Sequence, residues 1–200
     1  MKKILLSFLF SFSFSLAGEI FDAFYKKLST TEGIKGDFTQ ETYINGSSEK
    51  QTFKGILYAE KPDKIKIEYL TPIKQIVYVE KDKVIVYTPE ENQAVISKLP
   101  EDFITVKIFK SLSSGKMLKE IFSSLKEQKN SNGYTIQLKP VDKSISDVSL
   151  NLKKDFKVNK INIIDKEGNR VIIIFDKFDY LSKPVEIGLK LPEGVEVLRY

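Results

Sequence analysis

The chain has 200 residues with 32 basic and 27 acidic side chains, and it contains no His, Cys or Trp. Without His or Cys it cannot assemble a Ser–His–Asp triad, a cysteine nucleophile, a zinc site of His and Cys ligands, or a disulfide. Its 42% hydrophobic and 30% charged composition suits one globular domain resting on its own core.

Lys2 and Lys3 precede an apolar run at 4–16, and Ser15-Leu16-Ala17 places small residues where a signal peptidase reads them. The run is too short for a bilayer-spanning helix, which needs about 20 residues. The expectation is a secretory signal at 1–17, cleaved after Ala17, followed by one domain at 18–200. No Cys follows the cut to carry a lipid, so the expected product is a periplasmic protein. Losing Lys2 and Lys3 leaves 30 basic against 27 acidic residues, and Arg170 and Arg199 are the only arginines. Phosphate and guanine recognition favour arginine. The lysines are also interleaved with acids, as at Lys64, Lys66 and Glu68, so the charges read as a solvated surface and no nucleic-acid partner is expected.

Residues 19–29 read as a helix. Ile20, Phe21, Phe24, Tyr25 and Leu28 form one stripe at a 3.6-residue period, with acids in the first turn and lysines in the last. Gly33 and Gly36 break that pattern, and the period then changes to two. Strands are expected around 37–44, 52–59, 65–69, 75–79, 83–87 and 93–99, joined by short turns such as Asn45-Gly46 and Lys61-Pro62-Asp63. The middle of the chain returns to helical spacing. Phe103, Ile104, Ile108, Phe109 and Leu112 form one stripe, and Met117, Leu118, Ile121, Phe122 and Leu125 form a second. Strands resume at 134–138, 148–152, 158–164 and 171–178, and the last clear one is expected at 185–191. The sum is ten or so strands and three helices. The expected fold is mainly β (α+β): a strongly curved antiparallel sheet or unclosed barrel, with helices on its concave side. Two other arrangements compete with it. An outer-membrane barrel needs longer strands and has no place for the helical insert, while a sandwich with no cavity has the same periodicity.

Several motifs, taken in order, resemble the periplasmic lipoprotein carriers of the LolA family. They are Phe38-Thr39-Gln40, Gly55-Ile56-Leu57-Tyr58-Ala59-Glu60-Lys61-Pro62, and Ile65-Lys66-Ile67-Glu68-Tyr69 with Pro72 after it. Val86-Tyr87-Thr88-Pro89, Asn92-Gln93-Ala94 and Leu191-Pro192-Glu193-Gly194-Val195 agree. The resemblance implies an unclosed barrel whose apolar concave face is covered by a helical lid. It also implies partners: acylated lipoproteins as cargo, an ATP-driven releasing complex at the inner membrane, and a lipoprotein receptor at the outer membrane. A monomer without cofactor, metal or catalytic activity is expected. The family's arginine before the proline, which holds the lid through its backbone, corresponds here to Lys61, making Lys61 the latch candidate. An often aromatic pocket position corresponds to Ile65.

For that task, Phe38, Leu57, Ile65, Ile67 and Tyr69 are the candidate acyl-chain surface. Phe103, Ile108, Phe109, Met117, Ile121 and Phe122 are the candidate lid. Core packing explains any one of them equally well; the set, on a sheet too wide to close over itself, points to a hollow. A binder of another lipid, such as a glycolipid or phospholipid, makes overlapping demands. A glycosidase would need facing carboxylates, but Glu90/Glu91 and Glu101/Asp102 lie beside turns and helix starts, where acids are expected in any case.

Overall fold

The computed structural model describes residues 18–100, 103–113, 115–141 and 143–200. The expected signal at 1–17 and the Glu101/Asp102 pair lie outside these residues. The helices are α1 (Glu19–Ser29), α2 (Ile104–Ser113) and α3 (Gly115–Ile121). The strands are β1 (Gly33–Tyr43), β2 (Lys50–Glu60), β3 (Lys64–Thr71), β4 (Gln75–Glu80), β5 (Lys83–Thr88) and β6 (Gln93–Lys98). After the helical insert come β7 (Phe122–Asn130), β8 (Gly133–Pro140), β9 (Ile145–Lys153), β10 (Val158–Asp165), β11 (Arg170–Leu181) and β12 (Glu196–Arg199).

All twelve strands belong to one sheet, ordered β12-β6-β5-β4-β3-β2-β1-β11-β10-β9-β8-β7. It is a curved, unclosed sheet with β12 and β7 as free edges, as expected from the alternation. Two meanders meet at the long β1–β11 pair, where Gly33 lies opposite Leu181 and Tyr43 opposite Arg170. A shift in register between Asp37 and Phe38 marks a bulge there, a device that bends a sheet. Every second residue faces inward, as the buried sequence Ile34, Phe38 on β1 and Leu57, Ala59 on β2 illustrates. Together with the helices these residues form the main core.

Three expectations are corrected. The helical pattern does end before Gly33, but the first strand starts there rather than at 37, so Gly33 and Gly36 lie in β1. The second mid-chain helix stops at Ile121, and Phe122 begins β7, paired with Pro140. Leu125 sits where the β7–β8 register slips and is 62% exposed. The stretch 185–191 is not a strand; it is irregular, and the last strand is β12, which pairs parallel with β6. An antiparallel hairpin needs only a tight turn, whereas a parallel pair needs a long crossover. Residues 182–195 supply it, running from the end of β11 to the far edge of the sheet.

The outer face of β4 to β6 also buries side chains. Register alternation places Tyr78 and Tyr87 opposite in direction to the inward Val77, Val79, Val84 and Val86, and puts Ala94 beside Tyr87. All three are buried, as is Ile187 of the crossover, and none belongs to the inward cluster.

Candidate functional site

The concave face begins as a floor of strand side chains. Phe38, Leu57, Ile65 and Ile67 are each at most 1% exposed. Register places Leu57 beside Ile67 and Ala59 beside Ile65, so the floor is continuous across β2 and β3. Gly55 allows Phe38 to lie over β2, because a Cβ there would stand 2.9 Å from the Phe38 ring and 2.6 Å from the Glu68 carbonyl oxygen. Tyr69 completes the candidate set toward the rim, with its ring edge-on to Phe38 and to Phe53 at 5.9 Å in each case. Burial pushes its hydroxyl up to about 12.

Helix α2 covers this floor, touching β1, β2 and β3. Its stripe buries Val106, Ile108, Phe109 and Leu112. Phe109 meets the floor aromatics, with its ring 5.5 Å from that of Phe38 and 6.1 Å from that of Phe175. The expected hollow is therefore filled in this structure, and it is filled by the lid candidate itself. Recesses of about 360 and 350 Å3 lie elsewhere, at the Tyr43–Gly46 and Gly168 turns and between β5, β6 and the C-terminal residues. Ser111 and Ser113, although buried, donate back to the Ile108 and Lys110 carbonyls at 2.7 Å, so α2 seats without orphaned hydroxyls. Lys110 donates to the Lys81 carbonyl in the β4–β5 turn, a polar tether at the lid's margin.

The remaining lid candidates divide. Phe103 precedes α2 and is half-buried against the core, as is Ile121 at the end of α3. Met117 belongs to α3, but its side chain lies outside the described set. Phe122 is buried, yet it is fixed to the sheet as the first residue of β7, and so it is not part of a helical cover.

Lys61 donates from Nζ to the Ser29 carbonyl at 2.7 Å, and its own N–H bonds to Glu32 O. Ser29 is the last residue of α1, so the ammonium sits at the negative end of that helix rather than on α2. The opposite end is held by a residue that sequence reading did not single out. Gly18 stands at the N-cap with no side chain to offer, and the Glu127 carboxylate of β7 accepts the Ile20 and Phe21 N–H groups at 2.9 and 3.0 Å. Ser124 donates to the same carboxylate at 2.9 Å. A glycine N-cap signals that some partner is needed, but nothing local names one 107 positions away. Helix α1 is thus clamped at both dipole ends, by the β2–β3 turn and by the edge strand β7. Helix α3 is fastened to α1 in turn: Lys119 pairs with Asp22 at 2.7 Å and lies over the Tyr25 ring, and Gly115 admits the close approach of Tyr25 O and Ser29 Oγ. Caps and an ion pair brace α1 with α3, while α2 packs on β1 to β3 and on α3, with Lys110 tethering it to the β4–β5 turn.

Comparison with known proteins agrees with this architecture. The model of the family described as outer membrane lipoprotein carrier protein LolA matches residues 29–185. An outer-membrane lipoprotein carrier protein of Chromohalobacter salexigens is 22% identical over 176 residues, which cover 86% of this chain and 83% of that one. Among solved structures, an uncharacterized conserved protein from Thermus thermophilus superposes with a TM-score of 0.55 at 17% identity, covering 91% of this chain and 98% of that one. A LolA superfamily protein from Nitrosomonas europaea gives 0.46 at 9% identity, covering 85% and 96%. The likeness to the Thermus thermophilus structure concerns the fold alone.

Proposed function

Because the chain belongs to the LolA family of outer membrane lipoprotein carrier proteins, we propose that it is a periplasmic carrier that shelters the acyl chains of lipoproteins between the inner and outer membranes. The observation that carries this reading is the Phe109–Phe38 contact: the concave face around Phe38 is covered by the side chains of a helix that has no ladder to the sheet. Burying four apolar side chains of this kind is worth roughly 10 kcal/mol. Transferring one acyl chain of about 16 carbons out of water is worth a similar amount, at about 0.8 kcal/mol per CH2. An acyl chain is therefore a sufficient substitute for the α2 stripe. Closed and open states can lie close in free energy, with cargo favouring the open one by its differential burial.

The carrier works as a monomer with no cofactor. Direction has to come from its partners, an ATP-driven complex that loads it at the inner membrane and a receptor at the outer membrane that takes the chains more tightly. The test is to purify the protein from its native periplasm and identify the bound material by mass spectrometry. Acylated proteins are expected. Free glycolipid or phospholipid in their place would overturn the lipoprotein assignment.

A further inference from the structure

The concave face is not apolar throughout. Its lower rows are hydrocarbon, with Ile65 beside Val79 and Val84, and Ile67 beside Val77 and Val86. One step toward the rim the same strands change character. Tyr69 lies opposite Gln75, Gln75 Nε2 donates to Thr88 Oγ1 at 3.3 Å, and Thr88 lies opposite Gln93. Gln40, two residues beyond Phe38 on β1, joins them: its Oε1 is 3.5 Å from the Tyr69 hydroxyl, and its Nε2 donates to Thr42 at 3.2 Å. Gln40 and Thr88 are each 9% exposed. The opposite half of the sheet differs: its polar groups, Ser124 and Glu127, lie at the β7 edge and are engaged with each other and with α1. There Val171, Ile163, Val148 and Leu138 continue the hydrocarbon in direct register.

We infer that the row Gln40–Tyr69–Gln75–Thr88–Gln93 is a head-group subsite that reads the neutral ester and amide carbonyls of an acylated N-terminal cysteine. This deepens the carrier reading and rests on it. The chemistry of the row selects the class. Its groups are amides and hydroxyls, and no lysine or arginine occupies it, whereas phosphate recognition relies on cations. A carboxylate adjoins the row: Gln93 Nε2 donates to Glu196 at 3.1 Å. A phospholipid head would meet an anion and neutral donors; a diacylglyceryl, N-acylated cysteine brings carbonyls. The amide donors already bond side chains, not backbone, so a ligand carbonyl can replace a partner by rotation of one side chain. Acyl tails then run down the hydrocarbon rows beneath.

The test measures affinities for two probes with the same acyl chains, a synthetic triacylated cysteinyl peptide and phosphatidylglycerol, in the wild type and in a Gln75→Leu/Thr88→Val double variant. The wild type is expected to prefer the lipopeptide by about tenfold, the worth of one or two net hydrogen bonds. The double variant is expected to bring the ratio near one, and Thr88→Ser, which keeps the hydroxyl, to retain the preference. Should the double variant fail to fold, Gln75→Met alone reads the same ratio, with an expected fall of about threefold. A wild type that binds both probes without preference, or variants that leave the ratio unchanged, would overturn the subsite and leave the carrier reading intact. Uptake of neither probe by the wild type would overturn both.

Discussion

The rings of Phe38 on β1 and Phe109 on α2 meet edge to face, with centroids 5.5 Å apart and planes inclined at 63°. Both side chains are at most 1% exposed. The contact joins the floor of the concave face to its cover, and both residues are ones that a hydrocarbon ligand would have to separate. Truncating the cover should therefore do two things at once. Phe109→Ala is expected to lower stability in urea unfolding by about 3 kcal/mol, toward the low end for a buried Phe, because α2 can lift away rather than leave a cavity. The same variant is expected to bind an apolar naphthalene sulfonate dye more strongly than the wild type. A stability loss with no gain in dye fluorescence would show that α2 is simply core.

Lys61 acts on a different helix. Its ammonium caps the Ser29 carbonyl, so Lys61→Leu is expected to cost about 1 kcal/mol or less, the scale of a cation at a helix C-terminus. Hydrogen exchange should quicken in the last turn of α1 and remain unchanged in α2. Faster exchange in α2 with α1 unaffected would return the latch role to the main lid.

Glu127 holds the other end of α1 across a sequence separation of more than a hundred residues. Glu127→Ala removes a cap for two N–H groups and leaves Gly18 unable to substitute, so a loss of about 1–2 kcal/mol is expected. Glu127→Gln, which keeps an acceptor but not the charge, should lose roughly half as much. Equal losses for the two would mean that charge at the helix dipole, rather than hydrogen bonding, carries the effect.

Three tyrosines with raised hydroxyls, Tyr69, Tyr180 and the less buried Tyr78, make stability depend on alkaline pH. Burial pushes the Tyr69 hydroxyl up to about 12, and burial with the nearby Asp155 charge raises that of Tyr180, which donates to the Phe156 carbonyl. A folded-state value above the ordinary one near 10 means that the unfolded chain loses its proton first. Stability is then intact below pH 10 and falls as pH rises from 10 through 12, by roughly 1.4 kcal/mol per pH unit for each of Tyr69 and Tyr180. Tyr69→Phe is expected to flatten the fall in urea midpoint over that window. An unchanged slope would assign the loss to other groups, such as the lysines.

Much of this architecture is legible in the sequence because half-buried strands print their alternation. Ile65 and Ile67 do so plainly, 76–79 reads instead as the continuous apolar run of a strand buried on both faces, and the stripes of α1 and α2 print a 3.6-residue period. The failures have physical causes. Strand β7 is an edge strand whose residues from Ser123 to Asn130 are polar or exposed, so no apolar alternation marks it. The crossover at 185–191 alternates like a strand because it buries Ile187 between exposed Glu186 and Gly188 without joining a ladder. Alternation reports one-sided burial; it does not report a hydrogen-bonded ladder. The inward facing of Phe38, Leu57, Ile65 and Ile67 was readable residue by residue. The double clamp on α1 and the polar row at the rim were not, since each depends on strands brought side by side by the sheet order.

Hydrogen exchange of α2 with and without a triacylated cysteinyl peptide tests the account most directly, because the acyl chains and the α2 stripe are argued to occupy the same place. Adding the peptide is expected to lower protection across Ile104–Ser113 while Glu19–Ser29, clamped at both ends, keeps its protection. A bound peptide that leaves α2 as protected as before would contradict the claim that this helix stands in for the cargo.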